Sequence, residues 1–182
     1  MTVTFDDRLI AVETAILAAV EERLDAADAR VCRAFLAPGS SATWDTCCEC
    51  RTGREGQAWV AVSNVYPVDP FPSEDAGAQR CSPHEYAADI VVGILRCAHT
   101  VDDQGTAPTA AQVTADAVKV ARDRALVRDA LLCGYLSPDD DPGTFRLGRW
   151  TPLGPQGACV GGEWRATVAL PSCPCVEIPE ED

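Results

Sequence analysis

An α+β domain, with a mostly antiparallel sheet packed against two main helices, is the fold this sequence predicts. Two segments, 6–28 and 109–134, repeat apolar residues at three- and four-residue steps, the period of a helix with one buried face. Other segments, near 57–66, 85–98 and 163–170, are rich in β-formers or alternate with period two. The order is helix, strands, long loop, strand, helix, strands, which is not the regular strand–helix alternation of a parallel sheet. Residues 1–170 are expected to form a single domain, with 171–182 as an extended tail.

In the first helix Leu9, Val12, Ile16, Val20 and Leu24 form the stripe, widened by Ile10 and Leu17. Asp6 and Asp7 stand where a helix start favours acids. Pro38 to Ser41 make a turn, and QAWVAVSNVYP reads as a strand over 57–66. Four prolines in 67–83 predict a long exposed loop. Segment 85–98 places Tyr86, Ala88, Ile90, Val92 and Ile94 on one face and Val91 and Leu95 on the other. Two apolar faces mean a strand covered on both sides. Asp102 to Gly105 make a turn. Thr109 and Gln112 then fit a capping box for the second helix. Its inner stripe is expected from Val113, Ala117, Val120, Val127 and Leu131, with Arg124 interrupting and Gly134 as C-cap. Asp139 to Gly143 make another acidic turn.

The glycines of RWTPLGPQGACVGGEWRATVAL raise the question of a phosphate loop. Such a loop needs a helix after it, and no GKS or GKT follows. After Gly162 the chain alternates, with Trp164, Ala166, Val168 and Leu170 on one side and Glu163, Arg165 and Thr167 on the other. The glycines therefore connect strands. Gly161-Gly162 suits a tight hairpin and Pro152 to Gly157 a looser turn. Trp150 and Trp164 would pack as a cross-strand pair, or one of them would stand at a subunit interface.

Composition narrows the function classes. The 182 residues are 47% hydrophobic, enough for one core. Apolar runs such as Ile90 to Val92 and Ile94 to Leu95 are far too short to span a bilayer. MTVTFDDRL carries acids early and has no basic segment followed by an apolar one, so a signal peptide is not expected and folding in a cytosol is. Formal net charge is −13, and Lys119 is the only lysine. Without a basic patch, binding to nucleic acid is not expected.

The ten cysteines are Cys32, Cys47, Cys48, Cys50, Cys81, Cys97, Cys133, Cys159, Cys173 and Cys175. In a reducing compartment most would be small buried hydrophobes. Two alternatives are disulfides formed late, and a metal centre. Cys47 and Cys50 have the C-x2-C spacing of a zinc pair, while Cys173 and Cys175 are only C-x-C, so these four are weak ligand candidates. A redox role for CCEC would need a helix opening on it, which the sequence does not supply. Cys97 and His99 could share a strand face as a dyad, but no orienting third group is apparent. His84 reads as a solvated loop residue, and Asp102-Asp103 and Asp139 to Asp141 as ordinary turn acids. No catalytic residues and no cofactor are expected.

Two stretches, AADIVVGILRCAHTVDDQGTAPTAAQVTADAVKVARDRALVRDALLC and WTPLGPQGACVGGEWRATVAL, resemble proteins from the structural modules of actinobacterial long-tailed phages. The strand ending in LRC, the acidic turn, the long helix and the GGEW strand carry the likeness. It covers roughly residues 5–170 and points to the tail-terminator family or a neighbouring head-to-tail connector. CCEC and the CPC tail lie outside the pattern. The resemblance implies a non-enzymatic structural protein of the virion, assembled in the host cytoplasm and placed at the top of the tail. It implies a homohexameric ring that caps the tube of major tail tube protein and meets the connector or stopper of the head. Genome DNA would pass through an acidic lumen without specific binding, and no membrane is involved. Competing expectations are a stopper or adaptor protein and a cysteine-based metal-binding module.

Overall fold

The computed structural model describes residues 5–39, 47–48, 55–74, 85–135 and 144–170. It is an α+β arrangement of five strands and two long helices. Helix α1 spans Phe5–Ala26, and strand β1 follows at Arg33–Leu36. Strands β2, Gln57–Val68, and β3, Glu85–Cys97, pair antiparallel. Helix α2, Ala110–Asp129, runs on into a π-helical turn, Ala130–Tyr135. Strands β4, Phe145–Gln156, and β5, Cys159–Leu170, close the chain order of elements. The sheet order is β1-β2-β3-β5-β4, with every pairing antiparallel except β1 with β2. Among the described residues no helix is long and apolar enough to cross a membrane.

The helices pack on one face. Ile16, Val20 and Leu24 of α1 meet Ala88, Ile90, Val92 and Ile94 of β3, as both stripes predict. Ile10 instead lies 53% exposed, one position outside the stripe. The opposite face carries a second apolar layer of Ala37, Cys47, Trp59, Ala61, Val91, Leu95 and Cys159. β3 is thus buried on both sides.

Several expectations need correction. The four-residue β1 was not foreseen, because RAFL is too short to establish a period. Pro67 and Val68 belong to β2 rather than to a loop over 67–83, since β1 covers only Gln57 to Val60. Proline is tolerated where no further strand needs its missing N–H. The rest of that loop from residue 75, like the 139–143 turn and the 171–182 tail, lies outside the described residues.

Gly161 and Gly162 are not a hairpin turn but lie inside β5, opposite Leu95 and Ile94. The hairpin is Gly157-Ala158, between paired Gln156 and Cys159, and both residues have positive φ, 55° and 62°. That is the two-residue turn whose twist matches its strands. Gly162 is glycine for another reason: a Cβ there would come within 2.3 Å of the Trp150 ring. Gly93 does the same on the other face, where a Cβ would meet the Trp59 indole at 2.1 Å. Each face of the sheet therefore lays an indole over a glycine of the adjacent strand. Trp59 Nε1 is the one buried side-chain polar atom among the described residues without a hydrogen-bond partner.

Gly134 is not a C-cap either. It lies in the π-helical turn, where a Cβ would stand 3.3 Å from Ala19 Cβ, so its small size serves the approach to α1. The C-cap of α1 is Asp28, at φ 50°. Asp28 N–H donates to Asp25 O at 3.0 Å and Ala29 N–H to Leu24 O at 2.8 Å, the pair of bonds that satisfies a helix end. Aspartate is among the few non-glycine residues that enter this region readily.

Two predictions follow from this packing. Gly93→Ala should cost about 1–3 kcal/mol in urea unfolding, because Trp59 has no room to withdraw; an unchanged midpoint would show that the indole can move. Glu13 is buried on α1, and burial raises its carboxyl above the ordinary 4.5, against a bond from the Val62 N–H that lowers it. A carboxyl raised in the folded state favours folding while protonated. Its contribution is full below pH 4.5 and lost as pH rises through the folded value. Glu13→Gln should therefore be more stable than wild type at pH 7, with the gap closing toward pH 4 in a pH series of thermal melts.

Candidate functional site

Helix α2 begins with the predicted capping box: Gln112 N–H donates to Thr109 Oγ1 at 3.3 Å and Thr109 N–H to Gln112 Oε1 at 2.8 Å. Its inner face is not the expected apolar stripe. Val113 and Ala117 are exposed, Val120 is half-buried, and only Val127 and Leu131 of the five are buried. Asp116 and Asp123 point inward instead. They are seven residues apart, two helical turns, so they share one face.

Asp123 meets Arg96, near the end of β3. The side chains are 3% and 5% exposed and form a two-pronged ion pair, Nε to Oδ2 at 2.8 Å and Nη2 to Oδ1 at 2.9 Å. The other guanidinium protons go to main-chain carbonyls. Nη2 donates to Ala29 O, and Nη1 donates to Arg30 O at 3.1 Å and Glu55 O at 2.8 Å. All five N–H donors of Arg96 are used. Arg122 adds a bond to Ala27 O. Two cations thus face the carbonyl-rich C-terminal end of α1, where the helix dipole favours positive charge.

Asp116 makes the second inward contact. It accepts from His99 N–H at 2.8 Å, and His99 Nδ1 lies 3.0 Å from Asp116 Oδ1. Around Arg96 and Asp123 opens a cleft of about 440 Å³, also lined by Asp28, Arg30, Glu55, Lys119 and Arg122. Two of these lining residues, the lone lysine and Glu55, form an ion pair. The lining holds four cations and three carboxylates, against a formal charge of −13 for the whole chain.

The Cys97–His99 dyad that the sequence allows but does not favour is not formed. Cys97 is disulfide-bonded to Cys48, and His99 does have an orienting acid, Asp116, which the sequence did not reveal. Asp102 is a turn acid, held below its ordinary 3.8 chiefly by the Thr106 N–H, with a further bond from the Gln104 N–H. His84 and Asp139 to Asp141 lie outside the described residues.

The reading of most cysteines as free buried thiols also changes. Cys47 is bonded to Cys159 and Cys48 to Cys97, and Cys32 is disulfide-bonded as well. Cys133 is free and exposed. Of the four weak metal candidates, Cys47 is committed to a disulfide, and Cys50, Cys173 and Cys175 lie outside the described residues. Cys97 and Cys159 are Cα partners across the β3–β5 ladder. Two adjacent residues, Cys47 and Cys48, thus clamp two adjacent strands, and the Ala158 carbonyl oxygen lies 3.4 Å from Cys48 Sγ.

Trp150 and Trp164 do form a cross-strand pair, with ring centroids 5.7 Å apart. Trp164 Nε1 donates to Arg124 O at 3.0 Å, which ties β5 to α2.

With Asp116 and Asp123 turned inward and Asp129, the last residue, paired with Arg128, α2 presents an unusual outer surface. Residues 110–128 contain no acid besides Asp116 and Asp123, both buried. What faces out is alanine, threonine and valine, with Val113 53% and Val118 64% exposed, beside Arg122, Arg124 and Arg128. The outer side of α1, by contrast, exposes Glu21, Glu22 and Asp25.

Breaking the Arg96–Asp123 pair should be expensive. Asp123→Leu should cost about 3–5 kcal/mol, since it strands a buried guanidinium. Replacing both partners by apolar residues often restores stability at buried pairs. Here Arg96→Met with Asp123→Leu should remain destabilised, because the carbonyls of Ala29, Arg30 and Glu55 lose their donor. A double variant as stable as wild type in urea would show those carbonyl bonds to be dispensable.

No protein-family model matches this chain, and no curated protein matches it.

Proposed function

We propose that the chain is a structural protein of the phage neck, a tail terminator that works by assembly rather than turnover. The observation that carries this reading is the outer face of α2: exposed Val113 and Val118 beside Arg122, Arg124 and Arg128, with Asp129 at the last position its one partly exposed acid, on a chain of formal charge −13. Such a face suits a protein partner better than bulk water. The acidic outer side of α1 supplies a surface of opposite character. A ring that closes by rotation needs two different, complementary patches on each copy, and these two meet that need. The α+β fold agrees with the resemblance of residues 5–170 to the terminator family.

In this reading six copies would close a ring on the last layer of tail tube protein and offer the connector a docking surface. The acidity of the chain would keep DNA moving through the lumen, since like charge denies it counter-ion release. A neighbouring connector is the second reading. Two long helices on an open five-stranded sheet favour the terminator over a stopper, since stoppers are typically small β-barrels with fewer helices.

Light scattering of the purified chain, alone and mixed with tail tubes, tests the proposal. The expected result is a hexamer, or a monomer that forms rings only at tube ends. Val118→Asp places a charge on an exposed position, so folding should change by no more than about 0.5 kcal/mol, while the affinity of each ring interface falls at least about tenfold, the equivalent of about 1.4 kcal/mol. A wild-type chain that stays monomeric and ignores tube ends would sink the reading.

A further inference from the structure

Four sulfurs meet at one corner of the sheet. Cys97 and Cys159 stand side by side on β3 and β5, and Cys47 and Cys48 sit above them. The sulfurs of Cys47 and Cys48 belong to different disulfides, yet they are only 3.6 Å apart. A zinc ion held by thiolates at about 2.3 Å, in a tetrahedron, spaces its sulfurs at about 3.8 Å. The Cα separations, 5.9 Å for Cys47–Cys159 and 4.8 Å for Cys48–Cys97, keep all four side chains on one small centre. In the disulfide form these sulfurs have no lone thiolate to offer, and among the described residues no metal-holding group is present.

We propose that the reduced chain binds one zinc ion through Cys47, Cys48, Cys97 and Cys159, and that the same sulfurs close as two disulfides on oxidation. The signal lies in the fold rather than in sequence spacing. The C-x2-C pair of Cys47 and Cys50 is not the ligand set; the adjacent pair Cys47-Cys48 is, completed by a cross-strand pair 49 and 112 residues away. Either state pins Cys47 in the apolar layer of Trp59, Ala61, Val91 and Leu95.

The chemistry balances without a redox step at the metal. Two equivalents of a dithiol reductant give four electrons and four protons to the two disulfides, and leave as two oxidised dithiols. Zinc then displaces the four thiol protons, so its affinity rises with pH. Return to the disulfides needs a disulfide-bearing oxidant, by thiol–disulfide exchange after the metal leaves.

The test uses the full chain, reduced with a phosphine under anaerobic conditions, given one equivalent of zinc and then gel-filtered. About one retained zinc per chain is expected, and cobalt in its place should show tetrahedral thiolate bands. The oxidised chain is the folded control and should retain none. Cys48→Ser with Cys97→Ser should lower retained zinc at least about tenfold, while Cys173→Ser with Cys175→Ser leaves it unchanged. That first variant keeps the Cys47–Cys159 disulfide when oxidised, so its fold can be checked independently. A reduced chain that keeps four protonated thiols, with Cys48 donating to the Ala158 carbonyl, would overturn the proposal. So would zinc that persists in Cys48→Ser with Cys97→Ser.

Discussion

Arg96 is the interaction on which the arrangement of elements depends. It sits near the end of the central strand, 4% exposed, and its five donors reach α1's exit, the approach to β2 and the middle of α2. Burying a guanidinium is costly unless every proton finds an acceptor and a carboxylate neutralises the charge. Both conditions are met. A pair of this kind contributes little net stability over a well-packed apolar substitute, but it penalises every alternative arrangement that leaves the charge alone. Shifting α2 by one turn, or opening the loop after α1, would strand it. The hub therefore selects a register more than it adds adhesion.

That selection matters because α2 has little else to hold it. Its inward face offers two aspartates before it offers Val127 and Leu131. α1 shows the opposite solution, with Ile16, Val20 and Leu24 buried outright and docked chiefly by hydrophobic contact. The two helices lie on one sheet face by different physics. One is fixed by area removed from water, which is non-directional. The other is fixed by directed bonds at Asp116 and Asp123, with Trp164 adding a third to the Arg124 carbonyl.

This contrast explains which features could be read in advance. The α1 stripe, the two-faced β3 strand and the Thr109 capping box follow from local periodicity and local hydrogen bonding, so they were legible. The inner face of α2 was not, because a periodicity argument counts apolar residues and takes acids as solvated. The clue was there: Asp116 and Asp123 are the only acids in 110–128 and lie two turns apart. Gly161-Gly162 misled because a glycine pair signals a turn, whereas Gly162 makes room for a Trp150 ring from the next strand. The true turn contains Ala158 at φ 62°, a residue that carries no turn signal. The cysteine pairing was least legible of all. It depends on register, which puts Cys97 opposite Cys159, and on where a long connection returns.

The two faces of the sheet also differ in what closes them. Helices cover one face; on the other, Cys47 and Cys48 are bonded to the ends of β5 and β3. The layer beneath is small, and its largest member, Trp59, buries an indole N–H without a partner. A small apolar layer that carries such a cost gains from a covalent or coordinate clamp, because the clamp acts by restricting the open chain as well as by adding contact. Sulfur chemistry on that side leaves the helical side free of any such duty. Because Asp116 and Asp123 are spent inward on His99 and Arg96, the outer surface of α2 as far as Arg128 can be apolar and basic without disturbing the fold. The constraint that holds the helix in place and the surface open to a partner are two consequences of one placement of charge.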